Sequence, residues 1–178
     1  LLNAQLMKHL LENQILSKTQ YAFRPASSTT LALQSVTCDI FKFIKQKLPT
    51  LAIFADLSKA YDTISHDKLI HKLRHQFNFS ETTTQFFKTY FINRKQSTHT
   101  TNAQSTFLTI TDGIPQGSTL STTFFLLYIN DIIDIIKNST VYTYADDTTL
   151  ILKANTITEL KALANTEIKI LLEYFYRN

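Results

Sequence analysis

Only two residues of this 178-residue chain are glycine, and both, Gly113 and Gly117, sit in the single stretch Asp112-Gly113-Ile114-Pro115-Gln116-Gly117. An average composition of about 7% glycine would supply roughly twelve. Dinucleotide-binding G-x-G-x-x-G loops and Walker G-x-x-x-x-G-K loops need glycines at spacings the chain does not have. Collagen-like and glycine-linker architectures are excluded on the same ground. Any handling of phosphate here has to use another device.

With 44% hydrophobic and 12% aromatic residues the chain can bury a real core, and its length suits one domain or a domain fragment. Eighteen Lys and Arg against fourteen Asp and Glu give a net charge of +4 and a pI near 9.1. That is a mild lean toward polyanions. Cys38 is the single cysteine, so no disulfide framework or cysteine-based zinc site is available, and a reducing compartment is expected. The most apolar run, Phe124 to Ile136, is interrupted by Asn130, Asp131 and Asp134 and does not read as a membrane span. The first residue is Leu1 rather than methionine, which leads us to expect an excerpt of a longer protein.

Apolar spacing predicts a first helix over residues 3–16 and a second from Ser28 or Thr29 to about Lys47, with a stripe of Leu33, Val36, Ile40, Phe43 and Ile44. Leu51 to Ala55 is a continuous apolar run between Pro49 and Asp56, the pattern of a strand buried on both faces. Ser65 and Ser80 are candidate caps of helices ending near His75 and Asn93. Residues 96–111 read as a hairpin around Asn102-Ala103, and residues 118–136 as one largely buried helix. Two β-rich segments, 140–145 and 148–153, flank Asp146-Asp147 as a two-residue turn. Thr156 and Glu159 form a capping box for a last helix to about Tyr176. The order is that of an α+β fold.

Three carboxylates are oddly placed. Asp56 closes an otherwise apolar strand, and Asp146-Asp147 is a poor turn sequence because adjacent anions repel where Asn-Gly or Asp-Gly would serve better. Like charges at the rim of a core are costly unless something neutralises them. One reading is a capping aspartate and a solvated loop. The other is a pair of Mg²⁺ ions, held by strand-end carboxylates for in-line phosphoryl transfer.

Four ordered segments bear on that choice. They are Gln20-Tyr21-Ala22-Phe23-Arg24 with Ser28 to Leu33; Phe54-Ala55-Asp56-Leu57-Ser58-Lys59-Ala60-Tyr61-Asp62-Thr63-Ile64-Ser65-His66; Gly113 to Ser121 continuing to Tyr128-Ile129-Asn130-Asp131; and Tyr144-Ala145-Asp146-Asp147. Together they resemble the reverse transcriptase domain of non-LTR, LINE-like retrotransposons, nearest to the jockey-like group. The resemblance covers essentially the whole chain. It implies an α+β right-hand polymerase palm with part of the fingers: about 1–50 as fingers-side helices and about 51–178 as mainly palm with an inserted hairpin. Fingertip and thumb segments are expected before Leu1 and after Asn178, so the isolated chain is expected to be inactive.

The resemblance further implies that Asp56, Asp146 and Asp147 are the catalytic and metal-binding carboxylates, with two Mg²⁺ ions, or Mn²⁺, as cofactors. Asp56 and Asp146 would be the metal ligands and Asp147 the adjacent carboxylate. RNA template, DNA primer and dNTPs are the implied partners. Tyr61 takes the place of the aromatic that rejects a 2′-hydroxyl, although packing on the core would equally account for it. Gln116 and Gly117 are expected against the nascent base pair, Lys59 and Arg24 near nucleotide or template phosphate. Arg94, Lys95 and the helix face of Lys68, Lys72 and Arg74 are expected on the nucleic-acid backbone. His71 and His75, spaced i, i+4, lack a third ligand and read as surface residues. A larger polyprotein, with an endonuclease domain as one candidate companion, and a nuclear location follow from the family alone.

The chain departs from the family pattern at Ala22 (a glycine position), Thr122 (a proline position) and Tyr174 (usually tryptophan). If position 22 needs positive φ, alanine would strain it. These departures leave open a second reading, an inactive or domesticated copy acting as a nucleic-acid-binding scaffold. A two-metal nuclease or an RNA-dependent RNA polymerase fits the Tyr-Ala-Asp-Asp and Pro-Gln-Gly context less well.

Overall fold

A computed structural model describes all residues from Leu1 to Asn178. The chain forms two compact units, one made of Leu1–Ser58 with Ile129–Asn178, the other of Lys59–Tyr128.

The first unit is built on a three-stranded antiparallel sheet of β1 (Thr50–Ala55), β6 (Thr140–Tyr144) and β7 (Asp147–Lys153), in the order β1-β7-β6. In β7, Leu150 and Leu152 face one side, where Ile132 and Ile136 join Leu160, Ala164, Leu171 and Tyr174 from the long helix α7 (Ile157–Arg177). Ile151 faces the other side, against Val36, Ile40 and Phe43 of α2 (Thr29–Lys45). The consecutive apolar residues Leu150, Ile151 and Leu152, rather than apolar residues at every second position, are what a stretch of strand covered on both faces requires. The short helix α6 (Ile132–Ile135) and α1 (Leu2–Glu12) complete the unit. Ser28 caps α2 by accepting from Leu31 N–H, and Thr156 and Glu159 form the expected capping box of α7. Glu167 is wholly buried on α7, where Asn138 Nδ2 and Ser139 Oγ donate to its two oxygens.

Three expectations need correction in this unit. The strand buried on both faces is β7, not β1: β1 lies at the sheet edge, with Phe54 74% and Leu51 37% exposed. Its apolar run resembles a central strand because Ile53 and Ala55 pack toward α7 while Ala52 packs toward α2. The two-residue turn is Ala145-Asp146, because Tyr144 pairs with Asp147. Finally, the helix expected over 118–136 is broken at Asn130-Asp131. Asn130 accepts from Ser17 N–H and donates to the Ile15 carbonyl, while Asp131 accepts from Tyr174 Oη at 2.7 Å. These tertiary bonds outcompete continuation of the helix.

The second unit holds a hairpin and three helices: α3 (His66–His75), α4 (Glu81–Phe91) and nearly all of α5 (Thr119–Ile129). Ser65 and Ser80 cap α3 and α4 as expected. Leu69 and Leu73 of α3 are fully buried, and Phe87 meets Phe124 edge-on at 5.1 Å with Phe91 and Tyr90 alongside. The hairpin is split into two short ladders, β2 (Lys95–Gln96) with β5 (Leu108–Thr109) and β3 (His99–Thr100) with β4 (Ala103–Gln104). Its tip is therefore Thr101-Asn102, one residue earlier than the sequence suggests.

Candidate active site

Within the first unit, β1 and β7 pair so that Ala55 faces Thr148. One more step in that register sets Asp56 opposite Asp147, on the sheet face that α2 covers. The turn brings Asp146 beside them. Its first residue, Ala145, is held at φ +53°, a left-handed position ordinarily given to glycine. Asp147 is exposed as a residue, but partial desolvation of its carboxyl, then the charges of Asp146 and Asp56, raise that carboxyl above its ordinary value. The three carboxylates thus share one electrostatic field, which a cation would relieve.

They do not form a closed cage, since nowhere in the chain do three or more His, Cys, Asp or Glu side chains come close enough together to hold a metal ion. An all-oxygen set of few ligands nonetheless suits Mg²⁺, which is commonly held by one or two carboxylates together with water and substrate phosphate. Asp56 and Asp147 border a groove of about 400 Å³ floored by Ala32, Leu33, Val36 and Phe54.

The second unit has its own groove, about 610 Å³, lined by Lys59, Asp62, Arg94, Gln96 and Gln116 among others. Three expected site residues meet there: Lys59, Arg94 and Gln116. Gln116 Nε2 donates to Asp62 Oδ1 at 3.0 Å, and the Arg94 guanidinium lies 5.0 Å from the Tyr90 ring centre. The segment 61–66 is laced to 112–116 by Gly113 N–H to Ile64 O, Ile114 N–H to Tyr61 O, and His66 Nε2 to Gly113 O. Gly113 has φ +84°, and a Cβ there would lie 2.8 Å from the Asp62 carbonyl oxygen. Gly117 has φ +83° with nothing of the chain within 4 Å of such a Cβ. Tyr61 stacks on Phe125 with ring centres 4.7 Å apart.

The basic residues divide. Lys68 and Lys95 are exposed, Lys95 on β2. Lys72 is not on a nucleic-acid face: it is only 6% exposed, and its Nζ donates to the Tyr128 carbonyl at 2.6 Å over the Tyr128 ring. Its ammonium satisfies a carbonyl in the last turn of α5, a place that favours a cation. Arg74 donates to Phe79 O and pairs with Glu81. Arg24 Nη1 donates to the carbonyls of Ser17 and Gln20, bracing its own loop. His71 and His75 are exposed, as expected.

Ala22 is buried and is not among the positive-φ residues; Phe23, the next residue, is, at +53°. The alanine therefore adds no left-handed strain. Tyr174 fills its place and donates to Asp131. Reading the residues one at a time passes over Gln20, Asp62 and His66, and gives Gly113 no role of its own beside Gly117. All four lie inside the quoted motifs, so the motifs were their available signal.

The profile of the family described as reverse transcriptase (RNA-dependent DNA polymerase) matches residues 1–176. The chain belongs to the reverse transcriptase family. This reverse transcriptase domain is 27% identical over 155 residues to a protein described as a probable RNA-directed DNA polymerase from transposon BS of Drosophila melanogaster; the match covers 83% of the chain and 17% of the relative. It is 25% identical to the RNA-directed DNA polymerase from mobile element jockey of Drosophila funebris, over 87% of the chain and 18% of the relative. The domain thus spans under a fifth of the length of these relatives, and the second agrees with the jockey-like resemblance. Among solved structures, apo telomerase from Candida tropicalis, truncated from its C-terminal domain, aligns with a TM-score of 0.65 at 15% identity, over 94% of this chain and 36% of that one. That likeness supports the α+β polymerase fold.

Proposed function

We propose that this reverse transcriptase domain carries the catalytic carboxylates of an RNA-directed DNA polymerase of a non-LTR retrotransposon, adding dNTPs to a primer 3′-hydroxyl along an RNA template. The observation that carries the reading is the meeting of Asp56, Asp146 and Asp147 at the end of β1 and the β6–β7 turn, with the Asp147 carboxyl raised by its neighbours. Asp56, Asp146 and Asp147 would hold two Mg²⁺ ions, or Mn²⁺. When bound, these supply Lewis-acid activation of a hydroxyl and charge neutralisation on the triphosphate.

The chain's own side chains do the rest. Lys59 and Arg94 present positive charge in a polar groove, suited to phosphate. Asp62 holds the Gln116 amide in place, and Gly117 leaves open space where the backbone would approach a base pair. Tyr61, clamped by Phe125, is stiff enough to act as a steric barrier to a 2′-hydroxyl. The short span relative to the relatives supports a larger polyprotein, with an endonuclease domain as one candidate companion.

Primer extension on an RNA template with Mg²⁺, by a longer polypeptide carrying this domain, tests the reading. We expect extension by the parent and none by Asp146→Asn, Asp147→Asn. Full activity of that double variant would remove the carboxylates from the chemistry. Salt-sensitive template binding with no extension by the parent would favour the scaffold.

A further inference from the structure

Residues 19–21 lie against β6 as a one-residue parallel extension of the sheet. Tyr21 N–H donates to Thr143 O and Thr143 N–H to Thr19 O, each at 2.9 Å. This brings the Gln20 side chain, 3% exposed, to the β6–β7 turn. Its Oε1 accepts from Ala22 N–H at 2.8 Å and from Ala145 N–H at 3.3 Å. Ala145 is the left-handed residue directly before Asp146.

The side-chain amide has only one workable orientation. Two backbone donors converge on Oε1, and reversing the amide would turn its NH₂ toward them. In the orientation adopted, Nε2 is buried without a partner, an arrangement natural proteins seldom keep. What the side chain gains for that orphan donor is an acceptor for two buried amides, one of them in the turn. The backbone carbonyl of Gln20 is fixed in its turn by Arg24 Nη1.

We propose that Gln20 is a positioning residue: its side-chain oxygen holds the Ala145 peptide in its left-handed setting and so sets the direction in which Asp146 and Asp147 leave the turn. The proposal rests on the reading of these aspartates as cation ligands. Removing the oxygen would leave two buried N–H groups, of Ala22 and Ala145, unpaired and let the turn relax, displacing the carboxylates without touching them.

The test uses Mn²⁺ as probe, its affinity measured by electron paramagnetic resonance per folded chain, alongside amide hydrogen exchange at Ala145. Gln20→Met removes the acceptor at similar volume, Gln20→Asn withdraws it by one methylene, and Gln20→Glu keeps an acceptor oxygen. We expect Gln20→Met and Gln20→Asn to bind Mn²⁺ about tenfold or more weakly, the usual cost of losing a group that orients a metal ligand. Ala145 protection should fall with it. Gln20→Glu should bind at least as tightly as the parent. A merely structural role would lower the unfolding midpoint and leave the affinity of folded chains unchanged. Parent-like affinity in Gln20→Met and Gln20→Asn, with Asp146→Asn weakened, overturns the positioning role alone. Equal affinity in every chain, Asp146→Asn included, overturns the cation reading and the role built on it.

Discussion

The two glycines give a paired experiment in which stability and activity should separate. Gly113 and Gly117 have nearly equal positive φ, so alanine at either pays roughly 1–2 kcal/mol for a left-handed L-residue. At Gly117 nothing further is lost, because the added Cβ meets no atom of the chain within 4 Å. At Gly113 the Cβ would stand 2.8 Å from Asp62 O, 3.0 Å from its Cα and 3.1 Å from its C, all backbone atoms. Separating the two strands of chain stretches the Gly113–Ile64 and Ile114–Tyr61 bonds, now 2.7 and 2.8 Å. At about 1 kcal/mol each, they bring the total to roughly 3–4 kcal/mol. With a urea dependence of about 2 kcal/mol per molar, the two variants should differ in midpoint by about 1 M. Far-UV circular dichroism is a suitable probe, since the chain has no tryptophan. Extension should show the reverse order: Gly117→Ala loses activity out of proportion to its stability, and Gly113→Ala loses it in step with the folded fraction. Equal midpoints, or a larger loss at Gly117, would refute the close-approach argument.

Other outcomes follow from single contacts. Lys72→Met should cost about 2 kcal/mol, the range for a charged hydrogen bond, while leaving the salt dependence of RNA binding unchanged; a flatter slope would return Lys72 to the nucleic-acid face. Because the Asp147 carboxyl is raised in the folded chain, the folded state binds its proton more readily than the unfolded state. Its destabilising contribution is absent at low pH and grows as pH rises from the ordinary aspartate value, about 4, through the raised one. Asp147→Asn should therefore raise the unfolding midpoint at pH 7 and leave it unchanged well below pH 4, as pH-dependent denaturation will read. Tyr61→Ala should increase ribonucleotide incorporation where Tyr61→Phe does not, scored by extension with rNTPs; no change in the alanine variant would reduce Tyr61 to a packing residue on Phe125.

What could be read in advance was whatever is encoded locally. Ser28, Ser65, Ser80 and Thr156 each accept from an N–H three residues on, so their caps need no tertiary knowledge. The carboxylates were legible because strand-end aspartates conflict with their apolar neighbours, and the ordered motifs then supplied their company. Distant contacts were not legible. Asn130 breaks its helix because Ile15 and Ser17 wait for its amide, far away in sequence. Lys72 looks like one more surface lysine until the Tyr128 carbonyl claims it. The edge position of β1 depends on which strand pairs with which, and alternation alone does not carry that.

The order β1-β7-β6 also has a consequence for how the domain comes off the ribosome. β1 pairs with no strand but β7, about a hundred residues downstream, and the whole Lys59–Tyr128 unit is synthesised in between. At roughly 5–20 residues per second, the strand leading to Asp56 waits on the order of ten seconds for its partner. During that wait Leu51 to Ala55 is a short, uncharged, β-prone segment with an open edge, the kind of segment that pairs with the wrong chain. Slow elongation between codons 60 and 145 should therefore lower soluble yield more than the same delay placed after Lys153.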